Sequence, residues 1–206
     1  MLSRLISGSM DFGGVIIYIL STLTVIFLTL PVHEFAHGFV ATKLGDPTPR
    51  YQGRLTLNPF AHIDYLGALC ILFFGFGWAK PVGVNSYNFR NPKRDMALTA
   101  LAGPVSNLCL SIIFTVLLRL VLIPIQSISE DSLTITGNYY YMDEALAENP
   151  VFTILSLLAI VLYLGISLNL NLMFFNLIPL PPLDGSRIAY IFLPSDLYFK
   201  IMRYER

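Results

Sequence analysis

The chain has 206 residues, of which 55% are hydrophobic and 13% are charged, and its formal net charge is zero. Soluble domains carry about 25% charged residues, so this composition, with a mean hydropathy of +0.66, excludes an ordinary soluble domain. A neutral chain has no strong field that attracts nucleic acid, and no nucleic-acid partner is predicted. The apolar residues form long blocks, which indicates an integral membrane protein in a lipid bilayer.

The first apolar block predicts a helix over residues 13–44. It contains an almost uncharged run, then Pro31 and an H-E-x-x-H motif at residues 33–37. A membrane span needs about 20 residues, so the motif falls near the far end of this helix. The turn residues Gly45-Asp46-Pro47 then end it.

The second apolar block is shorter. Residues 65–78 are too few for a full span, so we predict that residues 65–84 form a re-entrant hairpin, which enters the membrane and returns. The run Pro81-Val82-Gly83-Val84 is expected to be extended and to form a small β element.

Residues 96–125 and 151–175 predict two more spanning helices, with an acidic loop between them. The expected fold is an all-α membrane protein with three full transmembrane helices plus the re-entrant segment, in one domain over residues 1–206. A proline-rich stretch at residues 179–185 follows the last helix, and a short amphipathic segment closes the sequence.

Charge predicts the orientation in the membrane. The loop at 126–150 contains no Lys or Arg, whereas the segments at 43–64 and 80–95 and the C-terminal tail are basic. Basic segments stay on the cytoplasmic side, so we predict that the N-terminus lies outside and the active site lies toward the cytoplasm. A re-entrant hairpin keeps both basic segments on that side.

The H-E-x-x-H motif predicts metal chemistry. His33 and His37 share one helix face and can bind one Zn²⁺, and Glu34 between them can act as a base toward an attacking water. Ionisable side chains inside a membrane are costly and usually functional.

A hydrolytic zinc site usually has three protein ligands, and the motif supplies two. Five residues are candidates for the third: Asp46, His62, Asp64, Asp95 and Asp184. Local features favour Asp184, because it follows a proline-stiffened stretch after the last span and Gly185 permits a tight turn. The same stretch is equally well explained as an exit loop.

Two motifs together, H-E-F-A-H and Asn176…Pro179-x-Pro181-x-Leu183-Asp184-Gly185, resemble the site-2 protease family of zinc intramembrane metalloproteases. The resemblance covers nearly the whole chain and is closest to compact bacterial-type members without a PDZ domain. It implies one zinc ion per chain, bound by His33, His37 and Asp184, with Glu34 as the catalytic base. Such members often continue beyond the region matching residues 203–206, so the chain is either C-terminally truncated or a shorter natural form.

The resemblance further implies hydrolysis of peptide bonds in or near transmembrane segments of membrane-protein substrates, as regulated intramembrane proteolysis in a bacterial cell membrane. It places Asn107 near the site, where it can donate to substrate or oxyanion, or else serve as an ordinary interhelical hydrogen bond. Gly103 allows close helix approach. The extended edge is hypothesised to pair with the substrate main chain through Pro81, Val82, Gly83, Val84 and Asn85.

The alternative function is a non-proteolytic membrane zinc-binding protein, either a carrier or an adaptor. Glu34 argues against it, because zinc binding alone needs no base between the histidines. His62 is more simply explained as a structural loop residue than as a ligand. The sequence indicates neither the substrate nor the oligomeric state.

Overall fold

Three helices of the computed structural model are long and apolar enough to cross a membrane: Gly14–Lys43, Pro92–Gln126 and Pro150–Asn176. The structure describes residues 12–126, 133–136, 139–142 and 149–204. Large apolar side chains such as Ile112, Val116 and Leu120 are exposed along one face of the second helix, as contact with lipid requires. The all-α membrane class predicted from the sequence is therefore confirmed.

The first crossing helix has three parts: α1 (Phe12–Thr24), a π-helical turn (Val25–Thr29) and α2 (Leu30–Lys43). Pro31 has no N–H to donate, and a proline inside a helix normally kinks or breaks it. Here the π-helical turn ends just before the proline, and the helix continues through it to the H-E-x-x-H motif.

The remaining elements follow in chain order. They are α3 (Thr48–Tyr51), a 3-10 turn (Pro59–Ala61), α4 (Tyr65–Phe74), a 3-10 turn (Ser86–Asn88), α5 (Pro92–Gln126), β1 (Leu133–Thr136), β2 (Tyr139–Met142), α6 (Pro150–Asn176), α7 (Asp184–Ala189), a 3-10 turn (Tyr190–Phe192) and α8 (Ser195–Tyr204). Strands β1 and β2 pair antiparallel between α5 and α6. The predicted loop at 126–150 otherwise lies largely outside the described residues.

The helix α5 packs along both α2 and α6. The two helices α5 and α2 run antiparallel, because Thr99 approaches His37 whereas Gly103, one turn later on α5, approaches His33 as well as His37. On its other side, Phe114 packs against Gly165 of α6. A further cluster of Ala41, Met96 and Tyr198 joins the ends of α2 and α5 to α8.

The segment from α4 to residue 85 folds back on itself as a hairpin. Gly75 ends α4 in the left-handed conformation, with φ +82°, which reverses the chain. The two arms then touch through glycines, because a Cβ at Gly67 would overlap the main chain of Trp78. The N–H of Lys80 donates to the carbonyl of His62 over 2.8 Å and closes the hairpin.

The tip of this hairpin is attached to the first crossing helix. The Tyr18 hydroxyl in α1 bonds the carbonyl of Ile71 at 2.9 Å and that of Leu72 at 3.1 Å, near the end of α4. Carbonyls at a helix end have no partner within the helix, and in an apolar environment they need one. The hairpin therefore stands alongside the first crossing helix.

The predicted small β element is absent from this hairpin. Its residues 81–85 are extended, but side chains rather than a neighbouring strand bind the main-chain donors. Val82 N–H donates to Glu34 at 2.9 Å, Gly83 N–H to Gln52 at 3.0 Å and Asn85 N–H to Asp46 at 2.7 Å. An extended segment whose donors are bound in this way forms no ladder.

Candidate metal centre

Three ligand atoms from distant parts of the chain converge at one point. His33 Nε2 and His37 Nε2 are 3.0 Å apart, and Asp184 Oδ2 lies 3.3 Å from each of them. All three residues are buried, and among the described residues they form a group able to hold a metal ion. The two histidines meet because they lie one turn apart on α2.

The spacing of these atoms fits a tetrahedral zinc ion. Ligand bonds of about 2.0–2.1 Å in tetrahedral geometry separate the ligand atoms by about 3.3 Å. His37 Nδ1 lies 2.8 Å from the carbonyl of Thr99, which can only accept, so this nitrogen carries the proton and Nε2 presents a lone pair. Asp184 Oδ2 is buried without a hydrogen-bond partner in the described part of the chain, so the cluster is suited to a cation.

Asp184 reaches the histidines from the first residue of α7. Its neighbour Gly185 is in close contact with the end of α6, since a Cβ there would overlap the carbonyls of Leu177 and Ile178. Burial by itself raises the pKa of the Asp184 carboxyl, but hydrogen bonds and positive charge from the two facing imidazoles, when these carry the Nε2 proton, outweigh burial and hold the pKa well below its usual range. Asp184 is therefore a carboxylate at neutral pH, the form that binds a metal.

Gly103 forms the wall of the site on α5. A Cβ at this position would overlap the imidazoles of both His33 and His37, so only glycine lets α5 approach so closely. Asn107 lies one turn further along the same helix and is fully buried. Neither Oδ1 nor Nδ2 of Asn107 has a hydrogen-bond partner among the residues that the structure describes.

Glu34 is half-buried, and its carboxylate is held from the hairpin. Oε2 accepts the N–H of Val82 over 2.9 Å, and the Val82 side chain packs close to Gly38 of α2. The hypothesised substrate edge, residues 81–85, therefore lies directly against the motif. Its N–H groups on Val82, Gly83 and Asn85 are already bonded in this conformation.

The other four candidates for the third ligand lie outside this cluster and have structural partners. Asp46 receives bonds from Asn85 and the Asn88 side chain, and Asp64 caps α4 at Gly67 N–H. Asp95 accepts from Asn91 N–H at 3.1 Å and pairs with Arg94. His62 Nε2 lies 2.8 Å from the Thr56 carbonyl, which agrees with the structural interpretation of this residue.

One contributor to the site was missed by sequence reasoning. The Thr99 carbonyl orients His37, and a main-chain group leaves no mark in the sequence. Thr29 and Asn169 form a buried hydrogen bond of 3.2 Å one turn from His33.

Three membrane-length helices and a buried His-His-Asp group define a helical membrane protein with a candidate metal centre. The chain belongs to peptidase family M50, the site-2 protease family, whose family model matches residues 21–196. That range contains all three cluster residues and Glu34. The resemblance inferred from the two motifs is thus confirmed.

Similar proteins bear metalloprotease names. The chain is 40% identical over 193 residues to "Putative zinc metalloprotease YwhC" of Bacillus subtilis (strain 168), a match covering 91% of this chain and 74% of that protein. It is 30% identical over 123 residues to "Putative zinc metalloprotease Rip2" of Mycobacterium tuberculosis (strain H37Rv), covering 57% of this chain and 46% of that protein. No solved structure matches the chain significantly.

Proposed function

We propose that the chain is a zinc metalloendopeptidase that hydrolyses peptide bonds in or near transmembrane segments of other membrane proteins. The observation that carries this proposal is the convergence of His33, His37 and Asp184 within a bundle of membrane-length helices, beside Glu34. A metal centre that only stores or carries an ion needs no base beside it. The names of the similar proteins support the same activity.

In this proposal His33, His37 and Asp184 hold one zinc ion per chain. When bound, zinc acts as a Lewis acid and lowers the pKa of a water molecule to about 7. Glu34 accepts the proton of the attacking water and passes it to the leaving amine. Before substrate binds, the Glu34 carboxylate accepts the N–H of Val82, which ties the base to the hairpin.

Asn107 is proposed to donate to the oxyanion or to the substrate carbonyl. It is fully buried one turn from Gly103, which contacts both metal-binding imidazoles. Its amide has no partner in the described part of the chain, so a role as an ordinary interhelical hydrogen bond leaves its polar atoms unexplained. A preorganised donor beside a developing negative charge is a strong catalytic device.

The hairpin segment 81–85 is proposed to bind the unwound substrate. A helical substrate has its carbonyls in internal hydrogen bonds and must open before attack. Pairing with Val82 requires its N–H to exchange the Glu34 carboxylate for a substrate carbonyl, so docking and release of the base are coupled.

A chain lacking Cys70 and Cys109 but carrying Val84→Cys should form disulfides with cysteines near the substrate cleavage site. Ser195→Cys, exposed on α8, serves as control. Equal crosslinking from both positions would contradict this role.

The proposed setting is regulated intramembrane proteolysis in a bacterial cell membrane. The basic segments at 43–64 and 80–95 support an orientation with the N-terminus outside and the metal centre toward the cytoplasm. Membrane-protein substrates then meet the site from within the bilayer.

The function is tested by mapping cleavage positions. Purified protein in detergent is incubated with a panel of single-span substrates, and the fragments are sequenced by mass spectrometry. We expect cuts within or beside the apolar segment and none in the soluble tails. Cuts confined to the tails would contradict an intramembrane protease. Full zinc occupancy without cleavage of any substrate would favour the non-proteolytic zinc-binding alternative.

A further inference from the structure

A fully buried polar residue on each crossing helix lies near the depth of the metal centre, and together the three are called the polar cluster. It consists of Thr29, Asn107 and Asn169, one from each crossing helix, and each is fully buried. The Asn169 Nδ2 donates to the Thr29 hydroxyl over 3.2 Å and to the Gly165 carbonyl over 2.8 Å. Nothing in the proposed metal chemistry uses Thr29 or Asn169.

The helix register places these three residues at similar depth. Because α2 and α5 run antiparallel, Asn107, about 6 Å beyond Gly103, points toward the same level as Thr29, about 6 Å before His33. Gly165, one turn from Asn169, packs against Phe114, which lies two turns beyond Asn107. The Thr29–Asn169 hydrogen bond and the packing of Gly165 against Phe114 therefore each place the Asn169 amide within about one helical turn of Asn107 in depth.

The unpaired atoms of this cluster can be assigned. A carbonyl only accepts, so the atom bonded to Gly165 is the Asn169 amide nitrogen, and the atom without a partner is its acceptor oxygen Oδ1. Asn107 adds one donor and one acceptor that also lack partners among the described residues. Leaving such groups buried and unpaired is costly. The cluster therefore offers a carbonyl-binding donor and two N–H-binding acceptors.

We propose that Asn169, held in place by Thr29, binds the substrate main chain beside the scissile bond, together with Asn107. This inference rests on the proposed peptidase function. A transmembrane helix that is opened for cleavage exposes unpaired C=O and N–H groups in an environment with no water to satisfy them. The two amides supply both complementary groups. Since both are fully buried, the substrate reaches them only when the crossing helices part.

The test uses substrate peptides in which one main-chain amide near the cleavage site is replaced by an ester, which removes a single N–H. The enzyme variants are Asn169→Leu and a matched control, Asn171→Leu, whose side chain is exposed on the opposite face of α6. We expect Asn169→Leu to lose about 10- to 100-fold in kcat/KM, as for one buried hydrogen bond, whereas Asn171→Leu stays near the parent. Zinc content should be equal in all three.

The decisive measurement is whether the loss of kcat/KM caused by the enzyme substitution and the loss caused by the substrate ester are independent of each other. At one ester position the parent should lose activity, and Asn169→Leu should show no further loss there. Thr29→Val, which keeps the side-chain shape but removes the hydroxyl, should weaken the same coupling and covers the case in which Asn169→Leu does not fold. If Asn169→Leu lowers kcat/KM by the same factor for every ester position in the substrate, the cluster binds water or serves packing, and the inference is wrong. A parent that cleaves no peptide would instead refute the proposed function.

Discussion

Replacing Glu34 with Gln should abolish peptide hydrolysis while leaving the metal content unchanged. Gln keeps the shape of the side chain, and its carbonyl oxygen can still accept the Val82 N–H, so the hairpin stays in place. It cannot take a proton from the attacking water. General base catalysis contributes about 10²–10⁴-fold, and because the same group also serves the leaving amine, we expect kcat to fall by at least about 10³-fold. Initial rates and zinc content of both proteins give the comparison.

The matched control for Glu34→Gln is Gln52→Ala. Gln52 accepts the N–H of Gly83, the next residue of the same segment, so its loss loosens the hairpin without touching the base. An exposed hydrogen bond of this kind contributes about 1 kcal/mol, and we expect a rate within about tenfold of the parent. If the two variants lose activity equally, Glu34 acts by anchoring the hairpin rather than as a base.

Replacing Asp184 with Ala should remove both the bound metal and the activity. The change leaves two histidine ligands, and it deletes the only negative charge of the three-residue group. Loss of an outer partner of a ligand typically lowers metal affinity by about 10- to 100-fold, so loss of a ligand itself should exceed that range. Competition with a fluorescent zinc chelator measures the affinity directly.

The control for Asp184→Ala is Asp196→Ala, which removes an exposed acid in the first turn of α8. It should bind zinc like the parent. Full zinc occupancy in Asp184→Ala, at parent affinity, would remove Asp184 from the ligand set and reopen the search for the third ligand.

Local patterns in the sequence predicted the parts of the site that depend on neighbours along the chain. His33 and His37 lie on one face because helix geometry alone requires it. The turn residues Gly45-Asp46-Pro47 were predicted to end the first helix, and α2 ends at Lys43. The long apolar blocks gave three membrane-length helices, since segment length and hydropathy are properties of the segment itself.

Other features depend on contacts between distant segments, and the sequence left these open. Local features left the third ligand undecided until Asp184 was seen 3.3 Å from both histidines. The expected β element failed because Glu34, Gln52 and Asp46 bind the donors that a strand would use. Asn169 and Asn171 look alike in the sequence, and only helix packing separates the buried amide from the exposed one.

The central claim is that one zinc ion and Glu34 together make this membrane protein a peptidase. Its most direct test measures zinc per chain and cleavage of a single-span substrate, side by side, for the purified parent and Glu34→Gln. We expect one zinc per chain in both and cleavage by the parent alone. Cleavage by both proteins at similar rates would contradict the role of Glu34, and an active parent that retains its rate without bound metal would contradict the role of the metal centre.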